Sequence, residues 1–192
     1  MGLAGGRQDQ YAAAFGGVNF MEFHADDHVI VHPLRVPGWI LSELEASLVL
    51  FYSGVSRESA LIIEEQCRRL TGDADPGAVQ AMHRVKATAM QMKESLLLGD
   101  LTSFVEAMDD AWRAKKRTAA SISNEQLDRL HERVMSAGAL AGKVSGAGGG
   151  GFLMFFVDPA RRTDVIRALD SMPGHVSTCH FTKHGAHAWK IF

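Results

Sequence analysis

The segment that runs from Lys143 to Gly151, KVSGAGGGG, is the strongest chemical signal in the chain. Glycine has no Cβ, so consecutive glycines let the backbone approach a ligand closely and adopt positive φ angles. Successive N–H groups in such a turn can point into one concavity and bind an anion. The same composition also suits a flexible hinge or a bulged hairpin turn, so composition alone leaves both interpretations open.

Two better-known glycine motifs do not describe this segment. Gly146, Gly148 and Gly151 satisfy G-x-G-x-x-G, but the dinucleotide-binding fingerprint lies between a strand and a following helix. Here residues 152–157 follow, and their sequence FLMFFV predicts an apolar strand. Lys143 precedes the glycines and no Gly-Lys-Ser/Thr sequence ends them, so a Walker A loop is excluded as well.

A few other residues could do acid–base or ionic chemistry. Asp9 could be a general base, although an aspartate in a glycine-rich stretch is more often a turn residue or a helix cap. Arg57, at a predicted helix start, suits a phosphate, but its ordinary alternative is a solvent-exposed arginine. Lys115 and Lys116 lie on an amphipathic helix whose lysines usually face solvent, and only one of them can point at a site, since neighbours diverge by about 100°. The nine histidines form no H-x-x-x-H pattern with a carboxylate partner, so no metal site is predicted.

The elements that must position these residues indicate an α+β fold. Strands are predicted as a hairpin within residues 11–35, and again over 45–52, 152–157, 175–182 and 188–192. Helices are predicted over 57–70, 78–98, 100–121, 124–137 and 159–169, with Asp100 and Asp158 as N-caps and Gly99 as a stop. Strand segments at both ends of a helical middle favour helices packed on an antiparallel sheet over a doubly wound parallel sheet.

Composition narrows the class of protein. The 192 residues are 46% hydrophobic and carry a net charge of −2 without runs of like charge, which predicts a soluble globular protein and argues against nucleic-acid binding. No apolar stretch is long enough to cross a membrane, and the N-terminus has no signal-peptide pattern. Only Cys67 and Cys179 occur, without metal-ligand spacing, so a reducing cytoplasm is the expected location.

The segment KVSGAGGGGFLMFF resembles the third sequence motif of the GHMP kinases, a superfamily named for galactokinase, homoserine kinase, mevalonate kinase and phosphomevalonate kinase. The N-terminal stretch GGRQDQY, with FGG soon after, is similar to the family segment whose aspartate lies near the hydroxyl to be phosphorylated. The stretches YSGVSRES and WRAKK are similar to parts of the heptose 7-phosphate kinases of that superfamily, and the similarity extends along nearly the whole chain. The resemblance therefore implies a GHMP-type sugar kinase.

The resemblance also implies a reaction and roles for individual residues. The reaction would use ATP and Mg²⁺ to phosphorylate the anomeric hydroxyl of D-glycero-D-manno-heptose 7-phosphate, giving the 1,7-bisphosphate for nucleotide-activated heptose. Asp9 would orient or deprotonate that hydroxyl. The substrate would contact Arg57, Lys116, Lys143 and Ser145. The phosphates would lie along a loop made of Gly146, Ala147, Gly148, Gly149, Gly150 and Gly151.

One departure from the superfamily limits these expectations. The Pro-x-x-x-Gly-Leu-x-Ser-Ser-type loop that wraps the ATP phosphates does not occur in the 192 residues. By the resemblance, residues 1–38 are a remnant of the N-terminal lobe and 39–192 form the C-terminal domain. The chain alone is then expected to be inactive, and an exposed strand edge in the remnant would favour homodimerisation. Two other functions stay open: a kinase for another sugar such as galactose or fucose, and a non-catalytic sugar-phosphate-binding fragment.

Overall fold

The chain forms helices packed on antiparallel sheets, as the computed structural model shows for residues 6–55, 59–72 and 74–189. The predicted α+β class is confirmed. In chain order the elements are α1 (Gln8–Phe15), β1 (Asn19–Phe23), β2 (Val29–Pro33), α2 (Gly38–Ser47), β3 (Leu48–Tyr52), α3 (Ser59–Leu70), α4 (Pro76–Leu98), α5 (Leu101–Lys116), α6 (Glu125–Ser136), β4 (Ala139–Val144), β5 (Phe152–Val157), α7 (Arg162–Asp170) and β6 (His175–Ser177). Short 3₁₀ turns, Ala120–Ile122 and Pro159–Arg161, precede α6 and α7.

Two separate sheets organise these elements. Strands β1 and β2 form a hairpin, and the other four form an antiparallel sheet in the order β4-β5-β3-β6. Side chains alternate across this second sheet, so that Phe155 joins a core with α6 and α7 while Phe156 joins a second core with α2, α4 and α5. The central strands are therefore covered on both faces, which explains why β5 is apolar throughout.

The predicted end of α4 agrees with the structure, as do the N-caps of α5 and of the 3₁₀ turn that precedes α7. Gly99 ends α4 in the left-handed conformation at φ 73°. Asp100 caps α5 by accepting a hydrogen bond from the Ser103 N–H at 3.0 Å, and Asp158 accepts one from the Ala160 N–H at 2.8 Å. These short polar side chains satisfy backbone donors that the first helical turn leaves free.

Several predicted elements were wrong in extent or type. Residues 11–15 belong to helix α1 rather than to the hairpin, and residues 45–47 end helix α2 rather than begin β3. Helix α2 was missed because its buried positions Ile40, Leu44 and Ser47 continue into an apolar strand without a break. Helix α5 ends at Lys116, five residues earlier than predicted.

Strand β4 was not predicted at all. Four of the six residues in its sequence ALAGKV are Ala, Gly or Lys, which are poor strand formers, so its pairing with β5 is what makes it a strand. Gly142 is required there, since a Cβ at this position would lie 2.4 Å from the Phe155 ring. At the C-terminus, only His175–Ser177 of the predicted strand 175–182 is a strand, and residues 188–189 form none.

Some expectations lie partly or wholly outside the described residues. Arg57 and the predicted start of α3 fall there, as do residues 190–192 of the last predicted strand. Within the described residues, no helix is both long enough and apolar enough to cross a membrane.

Candidate functional site

The glycine loop, residues 145–151, connects strands β4 and β5, so it is a hairpin turn of an unusual kind. All five of its glycines have positive φ angles, from 72° at Gly146 to 154° at Gly150. Most L-residues avoid these conformations, which explains the need for glycine.

Backbone contacts from distant parts of the chain hold this loop in place. The Gly149 N–H donates to the Ile122 carbonyl at 2.8 Å, and the Gly151 N–H donates to the Val55 carbonyl at 2.7 Å. A Cβ on Gly150 would lie only 2.5 Å from the Val55 oxygen. The interpretation as a flexible hinge therefore does not fit, because the loop is packed against two other segments.

Four other amides of the loop are unpaired within the described residues. The N–H groups of Gly146, Ala147, Gly148 and Gly150 have no hydrogen-bond partner in residues 6–55, 59–72 and 74–189. Since unpaired amides that converge on one concavity bind anions, the loop has the donors that a phosphoryl group needs.

Beside the loop lies a cleft of about 560 Å³, which we term the polar cleft. Its walls come from the loop, from α1, from α3 and from α5. The lining residues are Gly6, Gln8, Asp9, Gln10, Ser59, Ile63, Gln66, Lys115, Ser145, Gly146, Ala147, Gly148, Gly150 and Gly151. Gly149 is absent from this set because it is buried against Ile122.

Asp9 lies in the first turn of α1, and its exposed carboxylate lines the polar cleft. Helix α1 has no fully buried residue; its Tyr11 ring packs edge-to-face on Phe23 of β1, and backbone bonds also tie its C-terminal end to the C-terminal segment. The Ala186 N–H donates to the Ala13 carbonyl at 2.8 Å, and the Gly17 N–H donates to the Thr182 carbonyl at 2.9 Å. These bonds bring the predicted base and the glycine loop to one cleft.

The two neighbouring lysines of α5 point in different directions. The Lys115 ammonium donates to the Gly146 carbonyl of the loop. The Lys116 ammonium instead donates to Asp128 Oδ1 at 3.3 Å and lies 5.7 Å from the Trp112 ring centroid. The structure therefore brings Lys115, and not the Lys116 that the resemblance suggested, to the loop. No sequence pattern decides between the two lysines, since Lys115 follows the buried Met108 by seven residues and Lys116 follows the buried Trp112 by four.

Lys143 lies on β4 just before the loop and contributes a second positive charge. Burial lowers the pKa of its ammonium group. Burial, and to a smaller extent the positive charge of Lys143, together lower the pKa of Lys115 to about 8. Both shifts record the cost of keeping a cation away from water, and an anion close by would offset that cost.

A second cavity, of about 580 Å³, adjoins the other side of the α1 N-terminus. Asp9 and Lys143 both line it, but most of its wall consists of apolar side chains from the hairpin, α2, α4 and α5. Few polar groups converge there, so the polar cleft is the better candidate for phosphate chemistry. Within the described residues, no cluster of three or more His, Cys, Asp or Glu side chains could hold a metal ion.

The chain is similar in sequence and fold to known kinases. Residues 92–174 match the family model described as the C-terminal region of GHMP kinases. Over 191 residues, covering 100% of the chain and 56% of the relative, the chain is 44% identical to D-glycero-alpha-D-manno-heptose 7-phosphate kinase from Campylobacter jejuni. It is 28% identical to the bifunctional fucokinase/GDP-fucose pyrophosphorylase of Arabidopsis thaliana, with 87% of the chain and 16% of that protein covered.

Among solved structures, the fold matches a D-glycero-D-manno-heptose 1-phosphate kinase from Bacteroides thetaiotaomicron. The TM-score is 0.73 and the sequence identity is 40%, and the match covers 98% of this chain and 50% of that one. The chain thus spans about half the length of these heptose-phosphate kinases.

Proposed function

We propose, from the premise that this chain contains the C-terminal domain of a GHMP kinase, that it forms the sugar-phosphate side of an ATP-dependent kinase. The reaction transfers the γ-phosphoryl group of ATP to the anomeric hydroxyl of D-glycero-D-manno-heptose 7-phosphate and yields the 1,7-bisphosphate and ADP. The observation that supports this proposal most is the polar cleft, where a carboxylate, an ammonium group and unpaired loop amides line one space.

The proposed roles follow from the chemistry of phosphoryl transfer. Its transition state needs little covalent help from the protein, so positioning and charge stabilisation supply most of the rate. Asp9 accepts the proton of the sugar hydroxyl as the bond to phosphorus forms. The free N–H groups of Gly146, Ala147, Gly148 and Gly150 donate to phosphoryl oxygens, and Lys143 offsets developing charge. Ser145, whose side chain lies at the cleft, contacts the sugar.

ATP supplies the transferred group, and the Mg²⁺ that accompanies it neutralises phosphate charge. We assign the described residues no metal ligand, since no cluster of suitable side chains is present among them. A cytoplasmic location, homodimerisation through the hairpin edge, and the division at residue 38 remain predictions.

Two observations support a heptose phosphate as the substrate: the names of the similar kinases and the positive charge near the polar cleft. The names of the two heptose kinases differ in the position of the phosphate, but both specify a heptose monophosphate. The Lys115 ammonium in the polar cleft, with the charge of Lys143 nearby, favours a phosphorylated sugar over a neutral one, because a neutral sugar is bound mainly by carboxylates and amides. The fucokinase relative keeps a neutral-sugar kinase as the second candidate.

A chimeric enzyme tests the proposal directly. In it, this chain replaces the aligned 191-residue part of the Campylobacter jejuni kinase, and ADP release is followed with ATP, Mg²⁺ and one sugar at a time. Turnover with heptose 7-phosphate, but not with heptose 1-phosphate, galactose or fucose, is the expected result. Turnover with a neutral sugar alone would replace the proposed substrate. A folded chimera that binds heptose 7-phosphate without turnover would favour the non-catalytic alternative.

A further inference from the structure

Lys115 is a cation of the polar cleft, and the resemblance assigned it no contact with the substrate. Its side chain crosses from α5 to the loop, where the ammonium donates to the Gly146 carbonyl. An ammonium carries three N–H donors, and this contact uses one of them. The amides on either side of the Gly146 carbonyl, those of Gly146 and Ala147, are among the unpaired donors of the loop.

Lys115 and Lys143 repel each other, so a negatively charged ligand near them would be stabilising. Lys143 is close enough for its charge to act on Lys115. Neither ammonium forms an ion pair with a carboxylate in the part of the chain that the structure describes, whereas Lys116 pairs with Asp128. Two like charges at a partly buried place repel each other, and this arrangement costs stability unless an anion is bound.

We propose that Lys115 binds a phosphoryl group in the polar cleft, where the Gly146 carbonyl holds its ammonium in position and Lys143, which lines the adjoining cavity, adds positive charge nearby. The inference rests on the proposed function for the identity of the ligand, and it adds a binding residue to that function. A phosphoryl group from either the sugar phosphate or the nucleotide has the required chemistry: negative charge and several acceptor oxygens.

A purely structural role for Lys115 predicts something different. If the side chain only tied α5 to the loop, its removal would lower the free energy of unfolding and leave anion binding unchanged. If it serves a ligand, its charge is a cost to the empty protein, and removal of the charge should weaken phosphate binding without lowering stability. The two roles can therefore be separated by measuring binding and stability on the same variants.

The binding experiment uses the purified 192-residue chain and inorganic phosphate. The amide resonances of Gly146, Ala147, Gly148 and Gly150 are followed by NMR during titration at pH 7. Lys115→Met keeps the length of the side chain and removes its charge, and we expect it to weaken phosphate binding by about tenfold or more, as for loss of a charge-assisted hydrogen bond. Lys115→Arg should restore most of the affinity.

Arg113→Gln is the matched control, because Arg113 lies in the same helical turn but is exposed and paired with Asp109. It should bind phosphate like the unsubstituted chain. Equal affinities for Lys115→Met and Arg113→Gln, with both variants folded, would overturn the inference.

The pH dependence supplies a second readout, which also covers the case in which Lys115→Met does not fold. Asp9 on α1 lines the polar cleft with Lys115, Lys143 on β4 lines the adjoining cavity, and Lys116 is turned toward Asp128 of α6. For this readout sulfate replaces inorganic phosphate as the probe, because sulfate stays a dianion from pH 7 to 9 and its own charge does not change. Affinity in the unsubstituted chain should therefore fall as Lys115 loses its proton near its pKa of about 8. An affinity that stays constant from pH 7 to 9 would contradict the inference.

Stability should show the opposite trend. The pKa of Lys115 is about 8 in the folded chain and 10.5 when unperturbed, so the unfolded chain binds more protons between these values. The free energy of unfolding should therefore rise with pH across this window. In Lys115→Met the rise should be smaller, and stability at pH 7 should be no lower than in the unsubstituted chain. A clear loss of stability with unchanged phosphate affinity would assign Lys115 a structural role.

Two further titrations identify the source of the phosphoryl group. A loss of affinity for heptose 7-phosphate but not for free heptose assigns Lys115 to the sugar phosphate, and a loss for ATP but not for ADP assigns it to the transferred group. Either result supports the inference, and a loss for neither overturns it. Phosphate binding that depends on Lys115, in a chain whose chimera has no kinase activity, would remove the proposed function and leave this inference intact.

Discussion

Substitution of alanine at two glycines of the loop separates the requirement for a positive φ from the requirement for space. At Gly146, φ is 72° and a Cβ would meet nothing within 4 Å. The strain of the left-handed conformation is therefore the only cost of Gly146→Ala to the free energy of unfolding. That strain is about 1 kcal/mol, and alanine offsets part of it by stiffening the unfolded chain. Gly146→Ala should therefore fold normally with a small loss of stability.

At Gly148 the same change meets the backbone. A Cβ there would lie 2.7 Å from the Ile122 oxygen, and φ is 117°, outside the left-handed minimum. The carbonyl of the fully buried Ile122 cannot retreat without losing its 2.8 Å bond from the Gly149 N–H. The strain of about 1–3 kcal/mol and a lost hydrogen bond worth about 1 kcal/mol add to about 3 kcal/mol. Gly148→Ala should thus cost about 2 kcal/mol more than Gly146→Ala.

Urea unfolding followed by far-ultraviolet circular dichroism measures this difference. With a slope of about 2 kcal/mol per molar urea, the Gly148→Ala midpoint should lie about 1 M below that of Gly146→Ala. Gly146→Ala is the control for glycine replacement in the loop. Equal midpoints would show that contact with the Ile122 carbonyl adds nothing to the cost of Gly148→Ala. A lower midpoint for Gly146→Ala would show that the positive φ angle matters more than the available space.

Three further predictions concern activity. In the chimeric kinase, Asp9→Asn should lower turnover by about 10² to 10⁴ while binding of the sugar changes little, because an amide cannot accept the hydroxyl proton. In the same enzyme, Arg57→Ala should weaken binding of heptose 7-phosphate much more than binding of unphosphorylated heptose, as measured by calorimetry. The 192-residue chain alone should release no ADP above background from ATP, Mg²⁺ and heptose 7-phosphate, since it has no sequence for the loop that wraps the ATP phosphates.

Each of these predictions has a result that would contradict it. Unchanged turnover in Asp9→Asn would remove Asp9 from the proposed mechanism. Equal losses of affinity for both sugars would show that Arg57 does not contact the phosphate. ADP release by the chain alone, at a rate near that of the active chimera, would mean that a second copy or another surface completes the nucleotide site.

The sequence predicted those elements whose signals are local. The Asp100 and Asp158 caps, the stop at Gly99 and the apolar strand β5 follow from short patterns, and the structure confirms them. Strand β4 carries no such pattern, because Ala and Gly have little strand preference and its partner β5 imposes the extended conformation. Since β4 carries Lys143 into the loop, the missed strand was part of the candidate site.

In the candidate site, too, the sequence indicated features with a local pattern but not contacts between distant segments. The glycine loop and Asp9 were found from their residue types and from resemblance to a family, but no pattern indicated that α1 would be tied to residues 182–186. The choice between Lys115 and Lys116 required the phase of helix α5 relative to the loop. The buried Met108 and Trp112 show which face of α5 points inward. The choice of Lys115 follows only from the position of the Gly146 carbonyl, which the structure supplies.

The number of glycines in the loop exceeds the number that a phosphate would need, and packing explains the excess. The Ile122 carbonyl accepts the Gly149 N–H, and Ile122 itself is held in a 3₁₀ turn whose Ala120 and Ser121 N–H groups donate to the Glu65 carboxylate at 2.9 and 3.2 Å. The N–H groups of Gly149 and Gly151 donate to Ile122 and Val55, so these two glycines hold the loop in place. The unpaired amides of the loop are the ones that a ligand could use. Donors that are already oriented need no reorganisation when an anion arrives, so these contacts with distant segments prepare the loop for the phosphoryl group that we propose it binds. A glycine run of this kind therefore overstates the number of ligand contacts, because some of its members are required by the backbone packed behind them.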